Sequence, residues 1–340
     1  MIRNILVLNL KLIGDLIVST PAIRSLKEAF PESRIDILIR KGFEEVLSGN
    51  PDINNIIGFD KNLKNAGLFG KLFYEIKFIN KLRANKYDLV VALQPGDRYA
   101  IWSFLSGAAK RVGVKKQSFS FLFNIHSFVE EDTIPYIDYY LEIAAAAGGK
   151  NSLKKTAFFV NESDRDFAEK IIRDSNISSS EKIIVIHPGA SDKLRCWSPD
   201  NFIQLTREIQ KIPGTKAIIS FGPSEKDIIA VFKSALENPI IYDSTRGIRA
   251  IGAIIEKSAL CISNDTSIRH IAVALGVPVI TLMPADVAKF WNFYNDTSKE
   301  FVILGKRGIS SSSDKNLNSL HGIEVADVLS KVREYLRNLS

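Results

Sequence analysis

Apolar, strand-like runs alternate with stretches of helical period along almost the whole chain, and this alternation restricts the fold more than any single motif. In the first half, strand-like runs at 3–9, 34–39 and 88–93 alternate with helical stretches at 15–29, 42–48, 69–84 and 97–107. In the second half, runs near 182–187, 216–221, 239–242, 258–262 and 278–282 are separated by helical stretches near 199–211, 223–236, 247–256 and 267–275. Neighbouring parallel strands need a long crossover, and a helix supplies it. The expected class is therefore α/β, with parallel sheets and right-handed crossovers. A chain of 340 residues exceeds what one core usually organises, so two Rossmann-like domains are expected.

The polar stretch Asp174–Glu181 lacks apolar periodicity and reads as the linker, giving domains at 1–176 and 182–320. A second polar stretch, Gly308 to Ser319, precedes a final amphipathic helix within 321–340, with Val325, Val328, Leu329, Val332 and Leu336 at helical spacing. That helix is expected to fold back across the domain junction.

Composition narrows the function classes. Hydrophobic residues at 46% with 24% charged describe an ordinary globular protein rather than a disordered one. The two cysteines, Cys196 and Cys261, are too few for a disulfide framework and lack metal-ligand spacing. Lys11 and Asp15 interrupt the apolar start, which argues against a signal peptide, and no run is long enough to span a bilayer. A cytosolic protein is expected. The net charge of +7 favours anionic partners, among them nucleic acid, anionic lipid and phosphorylated sugars. Much of the excess lies in the first half, with Lys61, Lys64, Lys71, Lys77, Lys81, Arg83 and Lys86 in one stretch and Lys110, Arg111, Lys115 and Lys116 in another.

Loops leaving the carboxyl ends of parallel strands are where such sheets place ligands, and the following helix offers free N–H groups to an anion. Leu10–Asp15 is one such loop: Gly14 permits a tight turn, and Asp15 falls at a helix start. There a carboxylate serves either as a helix cap or, facing a ligand, as a general base, with Lys11 in the same loop. In the second half, His187–Trp197 leaves a strand and carries Lys193 and Arg195, suited to an anion, ahead of a Ser198-Pro199 helix start. Glu225 follows the next strand, where an acidic residue can accept ribose hydroxyls. Asp265 and Thr266 precede a helix that can receive a diphosphate, and His270 one turn further on either faces the same site or packs inward.

Several common chemistries lack their signatures. There is no G-x-G-x-x-G after the first strand, no G-x-x-x-x-G-K-[ST] and no G-x-S-x-G. Asp164-Arg165-Asp166 looks like a metal-binding Asp-x-Asp but reads better as an acidic first helical turn behind a Ser163 cap. No metal is expected.

The stretch Asn4–Leu26, together with Tyr87–Val91, Ala109–Gly113, His187–Ala190 and Ser263–Pro278, resembles the lipopolysaccharide heptosyltransferases of glycosyltransferase family nine. The resemblance implies a GT-B fold, two Rossmann-like domains facing across a cleft. It further implies transfer of heptose from ADP-heptose to the lipopolysaccharide inner core, with inversion and without an obligatory metal or other cofactor. Asp15 becomes the general base, and Arg195, standing two residues before Trp197 where the family has Lys, stabilises the leaving diphosphate. Lys193, Glu225, Asp265, Thr266, Ser267 and His270 fall on the donor side, and Lys11, Gly14 and Arg98 on the acceptor side. Two positions depart from the family pattern: Ser267 replaces a Gly, and Leu282-Met283-Pro284 replaces Phe-Gly-Pro. Added volume there would alter the approach of the donor. Phe119, Phe121, Leu122, Phe123 and Phe128 either contact the inner membrane, where a lipid-linked acceptor resides, or form a buried apolar turn. The competing reading is a GT-B protein that binds a nucleotide sugar without transferring it, or with altered specificity. A nucleic-acid-binding protein rests on charge alone and would require steeply salt-dependent affinity.

Overall fold

The computed structural model of the chain describes residues 1–60, 67–116, 118–150, 153–190, 192, 195–292, 294, 296, 298–306 and 320–339. Lys193 and the polar stretch Gly308 to Ser319 lie outside the described residues. The chain divides into two compact units, Met1–Ala157 and Phe158–Ser340.

Unit 1 carries strands β1 (Asn4–Leu8), β2 (Arg34–Arg40), β3 (Asn55–Phe59), β4 (Leu89–Ala92), β5 (Lys110–Val114) and β6 (Ile125–Ser127). Its helices are α1 (Ile13–Val18), α2 (Thr20–Ala29), α3 (Leu68–Ala84), α4 (Asp97–Leu105) and α5 (Tyr136–Ala146). All strand pairs are parallel, in the order β3-β2-β1-β4-β5-β6. The single helix expected at 15–29 is two helices. Pro21 lacks an N–H and its ring would clash with the carbonyl one turn back, so the ladder breaks at Ser19. The hydroxyls of Ser19 and Thr20 donate to the Leu16 and Ile17 carbonyls, at 2.8 and 2.6 Å, and satisfy the break.

Unit 2 begins with α6 (Glu162–Asp174). Its strands are β7 (Lys182–His187), β8 (Thr215–Ser220), β9 (Ile240–Tyr242), β10 (Leu260–Asn264), β11 (Val279–Met283) and β12 (Glu300–Leu304). The remaining helices are α7 (Pro199–Gln210), α8 (Lys226–Ala235), α9 (Ile248–Glu256), α10 (Ser267–Ala274), α11 (Ala288–Trp291) and α12 (Val325–Asn338). The parallel sheet runs β12-β11-β10-β7-β8-β9. Counted from each unit's first strand, the two sheets share one strand order. The order reverses between β1 and β4 in unit 1 and between β7 and β10 in unit 2, and each reversal is a topological switch point.

The division between units falls at 157/158, ahead of the expected linker, because α6 packs on α9 and belongs to unit 2. Arg249 of α9 reaches Asp164 at 3.2 Å, and Arg165 binds Glu256 through both carboxylate oxygens. The cap of α6 is Asn161 rather than Ser163, with Asp164 completing a capping box. Asp164 is thereby committed to structure. Helix α12 packs on α7 and β11 of its own unit, burying Val328, Leu329, Val332 and Leu336. Strands β1, β4, β7, β10 and β11 are buried along almost their full length, as expected for parallel sheets covered on both faces.

The apolar stretch after β5 is only partly a buried turn. Phe123 is buried against Gly113, where any side chain would overlap its ring, while Phe119, Phe121 and Phe128 are exposed.

Candidate active site

Two switch points, one in each unit, gather most of the residues singled out by sequence. In unit 1 the loop after β1 enters α1, and Asp15 sits in the first turn of that helix with 8% of its surface exposed. Leu12 is the N-terminal cap residue and makes no side-chain cap. Gly14 lies inside the helix and is not among the residues with positive φ, so it does not supply the tight turn expected of it.

The Asp15 carboxylate accepts a hydrogen bond of 2.9 Å from the Tyr140 hydroxyl of α5. Burial pushes its pKa above the ordinary carboxyl value, opposed by the nearby Lys11 charge, the Tyr140 hydrogen bond and the Leu12 N–H. Burial and the adjacent carboxylate push the Tyr140 pKa well up, so it stays protonated and donates. The Lys11 ammonium pairs with Glu131 at 2.6 Å and lies 5.8 Å from the centre of the Tyr136 ring. Asp15 is therefore a carboxylate whose proton affinity burial raises, a rise that the Tyr140 donor and the Lys11 cation only partly offset, and a raised proton affinity suits a general base.

A buried polar chain braces this loop from below. Asn9 accepts from the Lys11 N–H at 3.2 Å and from Gln94 at 2.8 Å, and donates to Ser19 at 3.1 Å. The Tyr99 hydroxyl donates to Gln94 at 2.6 Å. Gln94 follows β4, so the chain ties together the two loops of the switch point. Arg98, in the first turn of α4, stacks over Phe59 and Trp102 and lies 3.5 Å from Glu75.

In unit 2 the corresponding loops follow β7 and β10. Arg195 Nη2 meets Asp265 Oδ2 at 2.8 Å, and Arg269, fully buried in α10, meets Asp265 Oδ1 at 3.1 Å. Arg269 also grips Glu300 of β12 at 2.9 and 2.5 Å. Burial pushes the Glu300 carboxyl up against the pull of Arg269. Asn264 joins the loops by accepting from the Trp197 N–H at 3.0 Å and donating to the Pro188 and Gly189 carbonyls at 2.8 and 3.2 Å. Trp197 is buried below, donating to the Ile323 carbonyl at 2.9 Å, and Ser198 caps α7 as its sequence position suggests.

Thr266 is the N-terminal cap residue of α10 but makes no side-chain cap, and Ser267 is the first helical residue. Thr266 Oγ1 and Arg195 Nε are buried without a hydrogen-bond partner among the described residues. Unpartnered buried donors beside the start of a helix are what an anion would satisfy. Glu225 precedes α8, accepts from the Gly222 N–H at 2.7 Å and lies over Gly189, where any side chain would overlap its carboxylate. His270 turns inward: it is buried, bonded to the Tyr294 hydroxyl at 2.9 Å and packed against Trp291, and burial with Arg269 pushes its pKa well down. Met283 is fully buried at the end of β11.

Sequence reading missed Tyr140, Asn9, Gln94, Asn264, Arg269 and Glu300. Two of these left a signal: Tyr136, Tyr139 and Tyr140 recur at helical spacing, and Arg269 stands four residues after Asp265. Among the described residues no group of three or more His, Cys, Asp or Glu side chains could hold a metal ion.

Two parallel Rossmann-like units with loops gathered at both switch points define the GT-B class of glycosyltransferase fold. The chain is similar over nearly its full length to solved structures of that class. One is a glycosyl transferase family 9 protein from Veillonella parvula DSM 2008, with TM-score 0.85 and 20% identity, covering 99% of this chain and 97% of that one. Another is the E. coli ADP-heptose lps heptosyltransferase II, with TM-score 0.81 and 19% identity, covering 99% and 100%. Among curated proteins it is 28% identical over 340 residues to lipopolysaccharide heptosyltransferase 3 of Escherichia coli (strain K12), covering 95% of each chain. The model of glycosyltransferase family 9 (heptosyltransferase) matches residues 76–317, and the chain belongs to this family.

Proposed function

We propose that this glycosyltransferase moves a heptose from ADP-heptose to a sugar hydroxyl of the lipopolysaccharide inner core by single displacement, with inversion. The observation that carries the mechanism is Asp15, buried at the end of β1, held by Tyr140 and with its carboxyl pushed up. In this reading Asp15 takes the proton of the acceptor hydroxyl as that oxygen bonds to the anomeric carbon. The bond from that carbon to the diphosphate breaks, and ADP leaves. Arg195, Thr266 and the N–H groups at the start of α10 stabilise the charge that grows on the diphosphate. These groups supply positive charge and donors, so the step is proposed without an obligatory metal. Glu225 is assigned to the ribose hydroxyls, Ser267 to the donor phosphate through its N–H, and Lys11 and Arg98 to an anionic acceptor.

His270 is assigned a packing role beneath the donor loop, given its bond to Tyr294. The names of the relatives, one an ADP-heptose lps heptosyltransferase and one a lipopolysaccharide heptosyltransferase, support the choice of donor and acceptor. Among the described residues no helix is long and apolar enough to cross a membrane. We place the protein in the cytoplasm, in peripheral contact with the inner membrane that carries the acceptor.

The test is incubation with ADP-heptose and a panel of truncated lipopolysaccharide cores, read as a heptose mass increment. Asp15→Ala should lower transfer by about 10²–10⁴-fold while ADP-heptose still binds. Normal turnover by that variant removes Asp15 as the base. Donor binding with no transfer to any core by the unaltered protein would favour the nucleotide-sugar-binding reading.

A further inference from the structure

Helix α3 of unit 1 has apolar side chains on two faces, and the sheet covers only one. Phe78 and Leu82 are buried, with Tyr74 and Ile79 packed beside them, and Phe78 meets Phe59 and Trp102. On the other side Phe69, Leu72, Phe73 and Ile76 are 87%, 56%, 70% and 49% exposed. Their spacing of three, four and seven residues puts them on one stripe of the helix. The helix is thus amphipathic twice over.

The charge around that stripe has one sign. Arg83 continues it toward the C-terminus, Lys77 borders it and Lys81 follows one turn beyond Lys77, all exposed. The one acidic residue of α3, Glu75, is already engaged within the unit, where it accepts from the Trp102 indole N–H at 2.9 Å and faces Arg98. A stripe of exposed aromatic and aliphatic side chains edged by cations is the pattern of a helix that lies in the plane of a bilayer interface. Large apolar groups reach the acyl boundary while the cations stay with anionic head groups.

A second copy of the chain fits less well. A two-fold interface sets the same patch against itself, so Lys77, Lys81 and Arg83 would face their own counterparts, and like charges across an interface are costly. Helix α4 packs beside α3 and against the turn at Ser120–Leu122. That neighbouring surface exposes Phe104 and Phe128, with Arg111 and Lys115 lying over their rings at 5.6 and 5.9 Å.

We infer that α3 is a docking helix for an anionic phospholipid surface, through Phe69, Leu72, Phe73 and Ile76 with Lys77, Lys81 and Arg83. The inference deepens the peripheral membrane placement proposed above and rests on it. It names the surface that docks and the lipid chemistry that receives it.

Flotation of the full-length protein with phosphatidylglycerol–phosphatidylethanolamine vesicles, without donor or acceptor, tests it. Binding is expected there, with at least about tenfold less on phosphatidylcholine vesicles or in high salt. Phe69→Ser with Phe73→Ser, and separately Lys77→Glu with Lys81→Glu, should each weaken binding about tenfold or more. These side chains are exposed, so thermal unfolding should be unchanged, and Phe121→Ser with Phe128→Ser should retain vesicle binding. Vesicle binding untouched by the α3 substitutions overturns the inference while leaving peripheral placement standing. Absence of vesicle binding removes both. Concentration-dependent self-association that the α3 substitutions abolish, without vesicle binding, assigns the stripe to a second copy instead.

Discussion

The two units share a strand order, yet their switch points hold their carboxylates in opposite ways. In unit 1, Asp15 is buried beside a tyrosine hydroxyl with a single ammonium nearby, and burial pushes its proton affinity up. In unit 2, Asp265 is held between two guanidiniums, Arg195 and Arg269. Asp15 thus has a neutral donor on one oxygen, whereas each oxygen of Asp265 meets a guanidinium and fixes that cation in place. One topology therefore hosts a candidate base in one unit and a candidate anion-binding loop in the other, and the difference lies in what packs beside the carboxylate.

The comparison breaks most visibly at Arg269. Arg269→Met leaves Asp265 and Glu300 buried without their shared cation, so unfolding in urea should show a loss of about 3–5 kcal/mol. A loss below 1 kcal/mol would mean that the pair is not held as described. Arg195 is partly exposed, so Arg195→Gln should leave stability nearly unchanged. It should lower kcat by about 10²–10³-fold, as for a lost stabiliser of transition-state charge. An unaltered kcat with raised KM would assign Arg195 to donor binding alone.

Tyr140→Phe acts on the other half of the comparison. It removes a hydrogen bond that lowers the Asp15 pKa, so the acid limb of the kcat/KM profile should move to higher pH, with kcat reduced about tenfold. A fall in rate with an unmoved profile would make Tyr140 purely structural.

The smallest effect is on stability. Burial lifts the folded Asp15 pKa above its ordinary value of 3.8, so the fold favours the protonated form. That contribution is present below the unfolded pKa and is lost as pH rises through the folded one. Asp15→Asn, uncharged throughout, should be the more stable protein at neutral pH, and its advantage should shrink as pH falls to 3.8 and below. Equal stability at both pH values would show that ionised Asp15 carries no burial cost.

Local signals carried much of this structure. Alternating apolar runs located β1, β2, β4 and β7–β11 because parallel strands buried on both faces read as near-continuous apolar segments. Four strands escaped, β3, β5, β6 and β12: β5 begins Lys110-Arg111, β6 has only three residues, and β3 and β12 are only partly buried, five-residue edge strands. The stretch at 42–48 reads as a helix but folds as a short 3-10 turn at Glu44–Val46. Asp15, Arg195, Asp265 and Thr266 were legible because each stands where a strand gives way to a helix. Arg98 stacks on Phe59 as well as on Trp102 of its own helix, and His270 packs inward against Tyr294; Phe59 and Tyr294 come from distant segments.

The sequence by itself determined the α/β class, the two-unit plan and the loops that carry chemistry, because strand burial, helix period and strand-to-helix junctions are local properties of the chain. Tertiary structure alone decided which unit owns α6 and α12, and what stands beside each carboxylate. Tyr140 lies 125 residues from Asp15, and Arg195 lies 70 from Asp265. Proton affinity and charge pairing depend on such neighbours and on exclusion of water, and only packing of distant segments supplies either.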